Sequence, residues 1–359
     1  MSAADSNSRF KIMAQILARN ALPVEATSVQ GGSSQSGDVP ATWQTAMKRA
    51  LRTAGDLCQY VGVEPDRLGI EAEKQFPVFV PLQFAEKIEK GNPRDPLLIQ
   101  VLATGLELAP GGATDAVGDR EAQFAPGVLQ KYSGRCLVIS TGACAIHCRY
   151  CFRRHFPYDE APKGGQGLMQ ALDAVAADPS IEEVILSGGD PLTLADGVLA
   201  RFTNAANDIE HLRRIRFHTR VPGVIPSRVC DSLLDWIASS RIPMFFVTHF
   251  NHANEICTEV ATAMQRLQQT GVTLLNQAVL LQGVNDSFQT QLELCKRLLD
   301  VRVIPYYLHQ LDRVQGTLHF EAPEASGQEI IRRLRSHLPG YGVPTFVQEI
   351  PGQPSKTPL

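Results

Sequence analysis

Beyond residue 135 the chain carries short runs of branched or aromatic apolar residues at a nearly fixed interval, and this rhythm limits what it can fold into. The runs occupy residues 137–141, 184–187, 215–219, 245–250, 274–279 and 303–308. After the first long gap they start about 30 residues apart, the size of one strand–helix unit. Amphipathic stretches lie between them. Leu168, Leu172 and Val175 form one stripe; Ile256, Val260, Ala263 and Leu267 form another, with Gly271 placed as a C-terminal cap. Alternating strands and helices predict an α/β fold, a parallel sheet with helices outside. Six runs, with a seventh at 345–350, fall short of the eight strands of a closed barrel, so an open, partial barrel is expected. Its active centre should lie at the carboxyl ends of the strands, where the loops gather.

Upstream the pattern differs. Residues 30–40 are rich in Gly and Ser and read as a loop or linker. Ala46, Ala50, Leu51, Ala54 and Leu57 recur at helical spacing, which predicts a helical region over 43–61. Residues 93–126 are rich in Gly, Pro and Asp and predict irregular structure. The expected organisation is an N-terminal, mainly helical extension over 1–90, a barrel over 91–340 and a C-terminal segment over 341–359. Hydrophobic residues at 44% and charged residues at 20% exclude a mostly disordered chain. A net charge of −3 leaves no basic excess to drive nucleic-acid binding. No apolar stretch approaches the roughly 18 residues of a membrane span. The first 25 residues show no export signal, so a cytoplasmic location is expected.

Eight cysteines are present, and Cys144, Cys148 and Cys151 fall within eight residues, whereas Cys58, Cys136, Cys230, Cys257 and Cys295 are scattered. Without an export signal, such clustering points to metal ligation or redox work rather than disulfides. The triplet follows directly on the run at 137–141. Three thiolates on one short loop can each hold one iron of a [4Fe–4S] cluster, leaving the fourth iron open to a small ligand. A zinc site completed by His147 or His155 is the alternative. A second element, Ser187-Gly188-Gly189-Asp190-Pro191, follows the next run; its glycines allow close approach to the backbone, and polar groups there can pair with an ammonium.

The cysteine spacing, with Tyr150 before the last thiol, resembles the signature of radical S-adenosylmethionine (SAM) enzymes. That resemblance implies a partial (β/α)6 TIM-like barrel. It also implies an open iron that binds SAM for reductive cleavage to a 5′-deoxyadenosyl radical, and a SAM contact at Ser187, Gly188, Gly189 and Asp190. Further motifs narrow it: Lys131-Tyr132-Ser133-Gly134-Arg135, Cys151-Phe152-Arg153-Arg154, His218-Thr219-Arg220, Thr248-His249-Phe250-Asn251-His252, Asn276-Gln277, and the stretch from Pro351 through Lys356 to Pro358. In this order, over about residues 90–359, they resemble the lysine 2,3-aminomutase family.

Membership implies an isomerase that moves the α-amino group of L-lysine to C3, giving β-lysine. It implies pyridoxal phosphate (PLP) held by Lys356 as a Schiff base, since only a primary amine forms and exchanges an imine. Arg135 and Lys131 would meet the PLP phosphate and Tyr132 the ring; His249 and Gln277 would lie near SAM. Arg153 would clamp the substrate carboxylate. Asp312 and Glu349, 44 and 7 residues before Lys356, would hold the ε-ammonium, Glu349 standing one methylene longer than the family's usual Asp. An electron-donor protein and a homo-oligomer are implied as well. The short terminus and its Pro-Ser-Lys-Thr-Pro-Leu ending resemble the branch that makes (R)-β-lysine for the lysyl-transferring enzyme of elongation factor P. A stand-alone lysine 2,3-aminomutase of another pathway, or a radical SAM enzyme without PLP, are the alternatives.

Overall fold

Ahead of the sheet, α1 (Trp43–Lys48), α2 (Ala54–Val61) and α3 (Arg67–Gln75) each begin on a side-chain cap, from Thr42, Thr53 and Asp66. These elements belong to a computed structural model that describes residues 42–161 and 164–359. The loop expected at 30–40 lies outside the described residues. The helical region expected over 43–61 is two helices rather than one. Between them Thr53 takes an extended conformation to cap α2, and Leu51 pairs with Val80 in an isolated bridge.

The sheet follows chain order, from β1 (Gln123–Ala125), β2 (Val128–Tyr132) and β3 (Arg135–Thr141) to β10 (Thr357–Pro358). From β3 onward a helix follows each strand: α4 (Gly164–Ala176) leads to β4 (Glu183–Gly188), α5 (Asp196–Ala206) to β5 (Arg214–Thr219), and α6 (Asp231–Ala238) to β6 (Met244–Thr248). Then α7 (Thr258–Gln269) leads to β7 (Thr273–Val279), α8 (Phe288–Asp300) to β8 (Ile304–His309), and α9 (Glu324–Leu334) to β9 (Thr345–Gln348). Each crossover returns the chain in the same direction, so β3 through β9 pair in parallel. The order is linear from β1 to β10, so the barrel stays open.

The six expected runs all form strands, and the seventh forms β9. The stripe of Leu168, Leu172 and Val175 lies buried on α4, and Gly271, at φ 84°, follows the last turn of α7. Ile256 precedes that helix rather than joining it, though it too is buried. β6 ends two residues earlier than its apolar run because the Asn276 amide captures the backbone of Phe250, accepting from its N–H at 2.8 Å and donating to its C=O at 3.0 Å. The antiparallel edges escaped the sequence reading: β1 and β10 have only three and two residues, too few to display alternation, and β2 lies ahead of the repeat that begins past residue 135.

Strand alternation separates a packed face from a polar one. On β5, Ile215 and Phe217 join the main apolar core, whereas Arg216 and His218 border an interior cavity. On β7, Leu274 and Ala278 join that core while Gln277 and Val279 border the cavity. At the far edge, Gly352 (φ 79°) lets the chain reverse, and β10 pairs antiparallel with β9, with Leu359 N–H donating to Phe346 C=O at 3.0 Å. This return carries Lys356 back beside Glu349. Among the described residues no helix is long and apolar enough to cross a membrane.

The segment before β1 buttresses the cysteine loop. His147 N–H donates to Phe79 C=O at 3.0 Å, and Arg149 N–H to Gln100 C=O at 2.9 Å. Arg149, fully buried, forms a two-pronged pair with Glu107 at 2.8 and 2.6 Å, and Arg154 shares the same carboxylate at 2.8 Å. Removing that acid strands two buried guanidinium groups. Glu107→Ala is therefore expected to lower stability by about 3–5 kcal/mol, measured as the denaturation midpoint in urea; an unchanged midpoint would contradict the buttress.

Candidate active site

A cavity of about 420 Å³ is bordered by side chains from β2, β3, β4, β5, β7 and β8. Strands so far apart in the sheet order can share one space only if the sheet curls around it. Cys144, Cys148, Cys151, Ser187, Gly188, Gly189, Asp190, His249, Gln277, Lys131, Tyr132, Arg135, Arg153, Asp312, Glu349 and Lys356 all border it. The thiols stand past the carboxyl end of β3, while Arg135 opens that strand and Tyr132 closes β2. Seven residues of extended chain, about 20 Å, lie between those ends.

At the thiol end the three cysteines are free and partly covered. Burial, then Cys151, Asp190 and Cys148, hold the Cys144 thiol well above its ordinary range. Burial and then Cys148 push Cys151 up to about 11. Ligation must therefore displace protons, as a metal does. Among the described residues no three His, Cys, Asp or Glu side chains gather as a single metal ion would require. Three thiols on one short loop that border one cavity suit the separate corner irons of a cluster, so the donor set fits a [4Fe–4S] group.

The loop after β4 rests directly on the cysteine loop. Gly189 N–H donates to Thr141 C=O at 2.6 Å and Asp190 N–H to Ala143 C=O at 2.8 Å. A Cβ on Gly189 would meet the Ala143 oxygen at 2.2 Å, so only glycine permits this contact. The space a side chain would need at Gly189 is thus taken by the chain itself, while the residue still borders the cavity. Gly188, at φ 110°, supplies the left-handed turn before it. The Asp190 carboxylate accepts from Thr219 Oγ1 and Arg220 N–H, both at 2.7 Å, from Leu192 N–H at 3.0 Å and from Val221 N–H at 3.2 Å. Burial raises its pKa to about 6 against these donors. It ties β4 to β5.

Across the middle runs a row of alternating charges. Arg153 Nε donates to Asp119 at 2.6 Å and its Nη1 to Ser187 Oγ at 3.1 Å. Lys131 Nζ meets Asp119 at 2.6 Å and Glu349 at 3.1 Å, and the Lys356 ammonium pairs with the other oxygen of Glu349. Burial works against the Glu349 charge, but Lys356 and Lys131 outweigh it and hold the carboxyl down at about 2. Lys131, expected at a phosphate, is here engaged by two carboxylates. Arg135 lies over the Tyr132 ring at 4.7 Å, while burial and then Glu349 raise the Tyr132 phenol.

Asp312 breaks the row. Its carboxylate has no hydrogen bond or ion pair among the described residues, and burial followed by the Glu349 charge raises its pKa to about 7. Nearby, burial then Arg220 push His249 down to about 3, burial then Lys356 do the same for His309, and burial holds His218 well below its usual range. All three rings are neutral near pH 7. Gln277 Nε2 lies 3.4 Å from His249 Nε2, whereas the Nε2 atoms of His218 and His309 are buried with no partner. Such orphaned atoms at a cavity wall fit a polar ligand. With a primary amine at Lys356 and the Arg135–Tyr132 pair opposite the thiols, the residues present also fit PLP.

Asp119, His309, Tyr307 and Arg216 border the cavity without having been anticipated. Asp119 sits in the irregular stretch, where no period marks it. His309 ends β8, so the strand-end rule alone could have found it.

A curled, open α/β sheet with three thiols after its first parallel strand defines a radical SAM protein, and residues 138–295 match the Radical SAM superfamily model. The chain is 45% identical over 319 residues to the L-lysine 2,3-aminomutase of Haemophilus influenzae, covering 88% of this chain and 94% of that one. Identity to the Escherichia coli L-lysine 2,3-aminomutase is 42% over 322 residues, with the same coverage. To that of Clostridium subterminale it is 34% over 324 residues, 88% of this chain and 77% of that one. The chain belongs to the lysine 2,3-aminomutase family.

The raised Asp312 sets a pH dependence. Because its pKa is higher folded than unfolded, the native state holds an extra proton between about pH 4 and pH 7. This contribution to stability is complete below about pH 4 and is lost as pH rises through about 7. Urea denaturation of Asp312→Asn should show the variant gaining on the wild type from pH 4 to pH 8; a constant gap would refute the assignment.

Proposed function

We propose that the chain catalyses migration of the amino group of L-lysine from C2 to C3, with a [4Fe–4S] cluster on Cys144, Cys148 and Cys151, SAM at its open iron, and PLP on Lys356. The observation that carries this reading is the convergence of three thiols and the Lys356 amine on one cavity. When bound, the cluster and SAM supply a radical able to remove hydrogen from an unactivated carbon, and PLP supplies an aldehyde that engages primary amines.

The remaining tasks belong to side chains. Lys356 must shed a proton and leave Glu349 before its nitrogen can act, so Glu349 governs when the amine is available. Arg153 has Nε and Nη1 engaged by Asp119 and Ser187, which leaves Nη2 to meet a substrate carboxylate. Asp312, which has no hydrogen bond or ion pair among the described residues, is the cavity acid an ε-ammonium would best satisfy; Glu349 already holds two amines. A bound ammonium would return Asp312 to its ionised form. Neutral His218 and His309 offer hydrogen bonds without adding charge. Holding the substrate by both ends fixes C3 relative to the thiol end of the cavity.

The finer reading, that the product is (R)-β-lysine for elongation factor P, rests on the resemblance of the segment around Lys356. Anaerobically reconstituted protein given L-lysine, SAM, PLP and dithionite should yield (R)-β-lysine by chiral chromatography. Unchanged lysine would refute the aminomutase reading, and the (S) isomer alone would remove only the link to elongation factor P. Lys356→Ala should lose the PLP absorbance fixed by borohydride, with activity falling at least about a thousandfold. Retention of both would favour a radical SAM reaction without PLP.

A further inference from the structure

The turn after β5 holds a charge that the proposed reaction leaves unused. Arg220 is buried and donates from Nη1 to the Cys148 sulfur at 2.8 Å. Its Nη2 donates to Gln100 Oε1 at 2.7 Å and to Glu255 Oε2 at 3.0 Å, and its backbone N–H to Asp190 at 2.7 Å. The guanidinium carbon faces the rings of Phe84 and Tyr150 at 5.4 and 5.7 Å. So many contacts leave it no freedom to swing away from the sulfur. Its Nε is buried and has no partner among the described residues, which leaves a second donor at the wall of the same cavity.

The three thiols are not equivalent in this respect. Of the three, only Cys148 receives a guanidinium hydrogen bond among the described residues. Among the described residues the carboxylate that pairs with the Arg220 guanidinium is Glu255, itself buried, near the Lys87 ammonium, and also bound by the N–H groups of Asn251 at 2.8 Å and His252 at 3.1 Å. Such a network holds a positive charge against one sulfur with little solvent to screen it.

We propose that Arg220 is a tuning residue that makes the cluster easier to reduce, acting through the Cys148 sulfur. The inference rests on the reading that Cys144, Cys148 and Cys151 hold a [4Fe–4S] cluster. Reduction brings in one electron from a low-potential one-electron donor; no proton moves and no protein bond forms or breaks. A hydrogen bond to a ligating sulfur and a buried cation both favour the state with the extra negative charge, which moves the midpoint potential upward. Glu255 works in the opposite sense by offsetting the cation, so the pair sets the potential between two limits. Arg220 need touch neither SAM nor substrate to do this.

The test is an EPR-monitored dithionite titration of the anaerobically reconstituted full chain, with iron and sulfide counted per chain. Arg220→Gln should shift the midpoint to more negative potential. Arg220→Lys, which keeps the charge and loses the fork, should shift it less. Glu255→Gln leaves Arg220 unbalanced and should shift it positive, each variant keeping the wild-type cluster content. Variants that titrate with the wild type, or shift together in one direction, overturn the proposal. If Arg220→Gln assembles no cluster, the sign of the Glu255→Gln shift decides alone. A wild-type chain that assembles no four-iron cluster overturns the reading of the thiols, and the role of Arg220 falls with it.

Discussion

The alternating row Arg153–Asp119–Lys131–Glu349–Lys356 is the interaction on which the interior depends. Its members come from the cysteine loop, the irregular stretch before β1, strand β2, and the chain on either side of the final reversal. Arg153 and Asp119 are buried and the other three are largely covered, which is costly for a charge alone and tolerable only because opposite charges flank it. The row therefore ties the cysteine loop, the stretch from Asp119 to Lys131 and the final reversal together around one cavity. It also leaves Asp312 beside Glu349 as a carboxyl with no ion pair among the described residues, which is where the proposed reaction would seat an ammonium.

Around this row the neighbouring elements act as supports. The segment before β1 clasps the cysteine loop through Glu107, Arg149 and Arg154, all nearly out of solvent. The loop after β4 is pressed against Ala143 by the missing side chain of Gly189 and tied to β5 by Asp190. Arg220 continues the same connection to Cys148, so backbone packing and electrostatics meet at one sulfur. The three cavity histidines complete the arrangement as uncharged groups, because burial removes their protons.

Much was readable before any coordinates. The interval of the apolar runs set the parallel order, because a strand and its return helix need about 30 residues whatever their composition. The strand-end rule located the thiols, Gly188 and His249, since loops at that edge converge in a curled sheet. The spacing of Cys144, Cys148 and Cys151 is local, and local geometry survives folding. The antiparallel edges were not readable, β1 and β10 being too short to carry a period and β2 lying ahead of the repeat.

Sequence alone thus determined the repeating architecture and the thiol triplet, because both depend on residues close together along the chain. Only the tertiary structure decided which charges meet. Asp119 and Arg153 stand 34 residues apart and Lys131 and Glu349 stand 218 apart, and no local pattern records such pairs. It likewise brought Lys356 to the cavity wall, by pairing β10 back onto β9. The reason is physical: periodicity reports which face of an element is buried, whereas ion pairing depends on where separate elements come to rest.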